Sequence, residues 1–276
     1  MTHTETGTAA RVGGLLREWR RRAGVSQLDL ALRADSSARH ISFVETGRAR
    51  PSEEMVLRLA GHLDVPVRER NTLLLAAGYA PRFPETPPDG KRLSGLRAGL
   101  ERMVTAYEPY PALVVDGAYG VLAANRGVGA LLEGVAPWLL EPPLNAMRLT
   151  LHPDGLAPRI RNFREWRGHL LHQMERRGAL DRSAPLRTLY EEVIAYALPD
   201  GGDEEAGSDS PYALPMLLEC GDEVLSFVST IATFNTPLDV TVSELAVETL
   251  LPADSGTGRA LTRLVPPREE DRIPHG

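Results

Sequence analysis

Several stretches of this 276-residue sequence carry the residue types that catalysis, phosphate binding or metal binding uses, and each lacks something its chemistry needs. Asp254-Ser255-Gly256-Thr257 matches the signature of an acid protease, in which two such carboxylates share one proton, but it occurs once. Pro252 and Ala253 precede it where a strand would be required, so Asp254 or Ser255 is expected to cap a last helix. His169 and His172 stand i, i+3 with Glu165 and Glu175 close by, a spacing able to chelate a metal, yet no fourth ligand has a specified place. Asp89-Gly90-Lys91-Arg92 is short of the spaced glycine and the Ser or Thr of a phosphate-binding loop. A single cysteine, Cys220, forms neither an intramolecular disulfide nor a cysteine-based zinc site and suits a reducing compartment. Neither enzymatic activity, nor a metal, nor a cofactor is expected.

The chemistry that is complete is of a different kind. Arg39 offers the planar fork that pairs with guanine O6 and N7, and His40 can donate to a base edge or a phosphate. Arg48 and Arg50 follow shortly after. The net charge of −6 argues against a nucleic-acid partner only on average. Residues 1–80 hold 12 arginines and 9 acidic residues, net +3, whereas residues 81–276 hold 19 basic and 28 acidic residues, net −9. Phosphate neutralisation is local, so a small basic region joined to a larger acidic one suits a DNA reader attached to a second module.

The elements that must position these side chains are legible as five short helices. Val12, Leu15, Leu16, Trp19 and Ala23 line one helical face, and Gly24 ends it. Ser26 caps a second helix with Asp29 at capping-box spacing, and Leu28, Ala31 and Leu32 are expected to supply its buried face. Ser37 caps a third, whose Ile41 and Val44 point inward and whose exit is Gly47. Ala38, Arg39 and Ser42 then face outward. Pro51 and Ser52 open a fourth helix, and a fifth runs from about Val67 to Ala77 before Gly78.

The run Ser26-Gln27-Leu28-Asp29-Leu30-Ala31, with Ser37 to Arg48 and Arg50-Pro51-Ser52, resembles the helix-turn-helix of the Xre and phage-repressor family. That resemblance implies that the third helix enters the major groove and that Gln27 clamps the phosphate backbone. The expected nucleic-acid-binding set is Gln27, Ser37, Arg39, His40, Ser42, Arg48 and Arg50. One short recognition helix reads few base pairs, so a homodimer on paired half-sites of a double-stranded operator is expected.

Four prolines between Pro81 and Pro88 mark a spacer, followed by a helix from Leu93 to Ala106. Beyond it the periodicity changes. Short apolar runs at 112–116 and 121–124 read as a hairpin, and 214–219, 224–234 and 245–251 as three more strands. Helices are expected from about Arg159 to Arg176 and from Leu186 to Ala197, with a mobile acidic loop from Asp200 to Ser210. The fold class is therefore an N-terminal all-α helix-turn-helix domain (1–80), able to fold alone, and a linker with connecting helix (81–110). An α+β domain with a five-stranded antiparallel sheet (111–265) and a tail (266–276) complete it.

Arg68 to Tyr79, Glu108 to Ala112, Ala123 to Arg126, Asn145 to Pro153 and Thr236 to Asp239 together are similar to the MmyB-like (MltR-like) regulators. The resemblance covers about Val12 to Ala260 and implies a PAS-like C-terminal domain that senses a small apolar, fatty-acid-like effector. On the residues alone, Trp138, Met147, Phe163, Trp166 and Leu170 should lie near Phe227 and Thr230, as packed core or as a pocket wall. Arg148 or His152 at its rim would pair with a carboxylate, while Asn125 and Asn145 either join the pocket or tie down loops. The first residues are polar and no apolar run spans a bilayer, so a cytoplasmic protein without a membrane partner is expected. The competing reading is an enzyme or scaffold whose helix-turn-helix contacts protein.

Overall fold

The computed structural model describes residues 2–87, 90–180, 184–199 and 213–267. The chain divides into two compact units, one of Met1–Glu85 with Thr236–Ser243, the other of Thr86–Asn235 with Glu244–Gly276. The expected acidic loop at 200–210 and residues 268–276 of the tail lie outside the described residues.

In the N-terminal unit the five helices are α1 (Thr2–Arg22), α2 (Gln27–Arg33), α3 (Ala38–Glu45), α4 (Glu53–His62) and α5 (Val67–Ala76). Three serines start helices as their spacing requires. Ser26 Oγ accepts from the Asp29 amide at 3.1 Å, Ser37 Oγ from His40 at 3.1 Å and Ser52 Oγ from Met55 at 3.2 Å. Gly47, with φ of 72°, takes the left-handed turn that lets the chain leave α3. Val12, Leu16, Leu30, Ala31, Ile41, Val44, Val56, Leu59 and Leu74 fill one core. Gly13 lets α1 approach α3 so closely that a Cβ there would lie 2.2 Å from the Val44 carbonyl oxygen. One expectation fails: Leu28 and Leu32 are 59% and 71% exposed. The helix has only seven residues, and its buried side is set by Leu30 and Ala31, which turns the Leu28–Leu32 face outward. The segment 236–243 also belongs to this unit, with the Val240 amide donating to Pro84 O at 2.8 Å and Val240 buried.

The second unit is the expected PAS-like α+β fold. After α6 (Ser94–Ala106) come β1 (Ala112–Val115), β2 (Val121–Ala124), α7 (Arg126–Leu131), α8 (Ala146–Leu151), α9 (Phe163–Leu180) and α10 (Ala184–Ile194). They are followed by β3 (Met216–Cys220), β4 (Glu223–Thr233), β5 (Ala246–Pro252) and α12 (Ser255–Leu264), and α11 (Val240–Glu244), which counts with the N-terminal unit up to Ser243, is encoded between β4 and β5. The sheet order is β2-β1-β5-β4-β3, antiparallel at every pairing. The hairpin turn is held by Asp116, whose Oδ1 accepts from the Ala118 and Gly120 amides, each at 2.8 Å.

Both sheet faces are covered. Leu113, Ala246, Leu225 and Phe227 face the core shared with Met147, Phe163, Trp166 and Leu170, while Ala112, Val114 and Val247 pack with Leu100 and Val104 of α6 on the other side. The long helix α9 starts at Phe163 and not at Arg159. Ile160 still bridges Leu218, and Asn162 is pinned to the sheet, accepting from the Leu217 amide at 3.0 Å and donating to Pro215 O at 2.8 Å. Among the described residues no helix is long and apolar enough to cross a membrane.

Candidate functional site

On α3 the inward stripe of Ile41 and Val44 leaves Arg39 and His40 exposed at the N-terminal end, with Ser42 half-buried beside them. Ser37 is occupied as the cap, its Oγ filled by the His40 amide. Arg39 and Arg48 converge on one ring: their guanidinium carbons lie 5.2 and 5.8 Å from the centre of Phe43. Such a cation–π platform restrains both forks before any partner arrives. Phe43 was in the motif but had no expected role; its i, i+4 spacing from Arg39 was the available signal. Arg50 behaves differently, donating to Ala77 O at 3.1 Å and lying 5.2 Å from the Tyr79 ring, so it fastens the end of α5.

Gln27 is set in place by a buried network that sequence reasoning missed. Its Nε2 donates to Glu45 Oε2 at 2.8 Å, and Glu45 also receives Arg20 through Nε at 2.6 Å and Nη2 at 3.0 Å. Arg20 Nη1 donates on to Val25 O at 2.9 Å. Burial opposes the charge on Glu45, but hydrogen bonds from Arg20 and Gln27 with the attraction of Arg20 hold its carboxyl below the usual range. α1, α2 and α3 are thereby joined through one carboxylate, and Gln27 keeps a second amide hydrogen for another acceptor.

The second unit contains a cavity of about 80 Å³. Its wall includes Leu113, Val128, Leu131, Met147, Leu149, Trp166, Leu170, Met216, Glu248 and Leu250. Of the expected ligand-contacting residues, Met147, Trp166 and Leu170 line it. Phe163 and Phe227 are 3% and 0% exposed and belong to the surrounding core, not the wall. Thr230 lies on the opposite sheet face: Ser229 Oγ donates to Glu248 Oε1 at 3.1 Å on the cavity face, and alternation sends the next residue the other way.

Trp138, Arg148 and His152 form a separate cluster. The Arg148 fork grips Glu192 through two 2.7 Å bonds, and Tyr196 donates its hydroxyl to the same carboxylate. Those bonds raise the Arg148 pKa and lower that of Glu192. His152 packs edge-on between Trp138, at 4.9 Å, and Tyr196, at 4.7 Å, and Trp138 is 52% exposed. The expected carboxylate partners are thus placed outside the cavity wall, and Arg148 already has its counter-ion. Asn125 and Asn145 are bound to backbone. Asn125 joins Ala112, Val128, Val104 and Tyr110, and Asn145 joins Met147, Arg148 and Ala118.

The charged group that does reach the cavity is Glu248, an acid inside the largely apolar run Leu245 to Leu251, which is the signal that could have found it. Burial pushes its carboxyl up, while the Ser229 hydrogen bond and the charge of Arg177 pull part of the way back. Trp166, also in the wall, has an indole N–H with no partner among the described residues. Asp254, from the protease-like tetrapeptide, caps α12 through the Thr257 amide at 2.8 Å. His169 stacks on Trp166, and no group of three or more metal-ligating side chains occurs among the described residues.

Residues 96–264 match the model of the MmyB-like transcription regulator ligand binding domain, and residues 11–73 match a helix-turn-helix domain. Among solved structures, the restriction-modification controller protein C.AhdI from Aeromonas hydrophila is 32% identical, over 25% of this chain and 99% of that one, with a TM-score of 0.24. An RNA-binding light-oxygen-voltage receptor is 12% identical over 92% of this chain and 62% of that one, with a TM-score of 0.25. Comparison with curated proteins gives no match.

Proposed function

Since this chain belongs to the MmyB-like transcription regulators, we propose that α3 reads a DNA operator and that a small apolar effector in the second unit's cavity sets how tightly it does so. The coarser statement is settled by the two matches: this is a DNA-binding transcription regulator with a ligand-binding domain. The observation that carries the finer reading is the pair Arg39 and Arg48, exposed and oriented over Phe43 on the open side of a capped helix. In this reading Arg39 recognises a guanine, and His40 and Ser42 reach a neighbouring base edge or phosphate. Gln27 and Arg48 hold backbone phosphates. A homodimer on paired half-sites supplies the base pairs one helix cannot read, and the protein acts in the cytoplasm, where the operator is.

The effector regulates only by binding the DNA-competent and DNA-incompetent arrangements with different affinities. The cavity wall suits a mostly apolar molecule, since among its described residues only Thr150 and Glu248 carry polar side chains besides the indole of Trp166. A salt titration of binding to a DNA duplex tests the first half. Affinity should fall with a log–log slope of roughly −0.9 per phosphate neutralised, and a flat dependence would favour a helix-turn-helix that contacts protein.

A further inference from the structure

The sheet of the second unit has an edge that nothing covers among the described residues. β3 pairs with β4 only from Glu223 to Phe227, whereas β5 pairs with β4 from Phe227 to Thr233, so Val228 to Thr233 have a neighbouring strand on one side alone. The Ser226 carbonyl accepts from the Ala253 amide at 2.8 Å and the Ser226 amide donates to Thr257 Oγ1 at 2.9 Å, so the even-numbered residues of β4 bond toward β5 and α12. Ser229, Ile231 and Thr233 therefore turn their N–H and C=O groups to the open side, where no group of the described residues meets them. Thr230 to Thr233 are exposed, Ile231 by 48%. Edges of this kind are ordinarily blunted by a charge, a proline or a bulge. This one has none of them: its register with β5 runs without a shift, and Val224 to Asn235 hold neither a charged residue nor a proline.

We propose that a second copy of this chain occupies the edge: β4 pairs antiparallel with β4 of its partner about a two-fold axis at Ile231, joining two five-stranded sheets into one. A closed two-fold dimer must bring the same patch of both copies together. An antiparallel strand does this with itself. With the axis at Ile231, Ser229 exchanges bonds with the partner's Thr233, Thr233 with the partner's Ser229, and Ile231 with its own counterpart, about six backbone bonds in all. Charge separates a second copy from a foreign strand. A strand built for a foreign partner can carry charges that match it, whereas a strand that pairs with itself cannot, because each charge near the axis would face its like. The uncharged run of β4, in a chain whose residues are 25% charged, fits the second case. The assignment rests on the homodimer reading and names the surface that reading leaves open.

Analytical ultracentrifugation of the full chain tests both levels separately. The unaltered chain should sediment as a dimer. Ile231→Lys, checked for folding by circular dichroism, should weaken self-association at least about tenfold, since two ammonium groups would face each other at the axis. Should that variant not fold, Thr233→Lys at the exposed end of the strand takes its place. Cross-linking gives a second readout, with Ile231→Cys placed in a Cys220→Ser chain. The two Cα atoms would lie about 5.5 Å apart across the axis, within disulfide reach, and mild oxidation should link most of the dimer. Val224→Cys in the same background, far along the strand from the axis, should stay unlinked. A dimer that withstands the lysine, or an Ile231→Cys chain that links no faster than Val224→Cys, overturns the edge assignment. Either result leaves the homodimer reading standing and returns the edge to a strand of another protein. If the unaltered chain sediments as a monomer, the homodimer reading fails and the assignment with it.

Discussion

Glu45 at the end of α3 is buried and Glu248 in the middle of β5 is half-buried beside a cavity, one in each unit, and the surroundings of the two carboxyls are opposite. Glu45 receives Arg20 and Gln27 on its two oxygens and is held below the usual carboxylate range, whereas Glu248 has one serine and is pushed above it. The N-terminal unit completes the charge of Glu45 and presents Arg39 and Arg48, the proposed reading groups, to the outside. The second unit keeps a polar group incomplete, and does so at a cavity. The two carboxyls are thus told apart by the state of their partners.

The largest effect that sharpens this contrast is expected at Glu45. Glu45→Ala leaves Arg20 buried without its counter-ion and should cost about 3 to 5 kcal/mol, read as a lower melting temperature by circular dichroism. Glu248→Leu should cost far less or stabilise, because a carboxyl with a single serine partner in an apolar wall is replaced by an apolar side chain; a comparable loss at both positions would erase the distinction. Phe163→Ala comes next, at about 3 kcal/mol or somewhat more, since a fully packed ring is removed from the core around the cavity. The folded fraction of that variant should bind an apolar ligand as the wild type does.

Smaller effects follow on the DNA side. Arg39→Ala should lose about 1 to 3 kcal/mol of specific affinity and relax preference at one base pair per half-site, measured by binding to a mutated operator series. Arg50→Ala should lower the stability of the N-terminal unit and leave base preference intact, because Arg50 is fastened to Ala77 and Tyr79. The subtlest effect is in the pH dependence of melting. Glu45, with its depressed folded pKa, contributes stability above the unfolded value of about 4.3 that is lost as pH falls through the folded pKa. Glu248, with its raised pKa, contributes stability below that value that is lost as pH rises. Glu248→Gln should remove only the second slope, and Glu45→Gln only the first.

What was legible in the sequence is what is local. Ser26, Ser37 and Ser52 announce their helices because a cap bonds three residues ahead, and Gly47 marks an exit because the left-handed turn tolerates it best. Strand positions were legible from apolar runs. The buried side of α2 was not, since Leu28 and Leu32 are as apolar as Leu30 and only packing against the other helices chooses between them. Arg20 and Glu45 lie 25 residues apart, and Arg148 and Glu192 lie 44 apart, so neither pair has a sequence signature. Thr230 was expected beside Phe227, yet an offset of three residues within one strand already sends it to the other face, so the alternation of β4 was a signal left unused. Glu248 was legible as an acid in an apolar strand, and its meaning needed the cavity beside it.

The eight residues 236–243 have a consequence for how such a protein can be taken apart. They count with the N-terminal unit, yet they are encoded between β4 and β5 of the other. A recombination event with one breakpoint after Glu85 would transfer the first stretch of the unit and leave Val240, with its bond to Pro84, behind in the recipient frame. The transplanted helices would meet a foreign segment at that place, and the orphaned segment a foreign host. Exchange of DNA specificity between members of such a family by simple gene fusion is therefore handicapped, and reader and sensor are expected to travel through evolution as one heritable block.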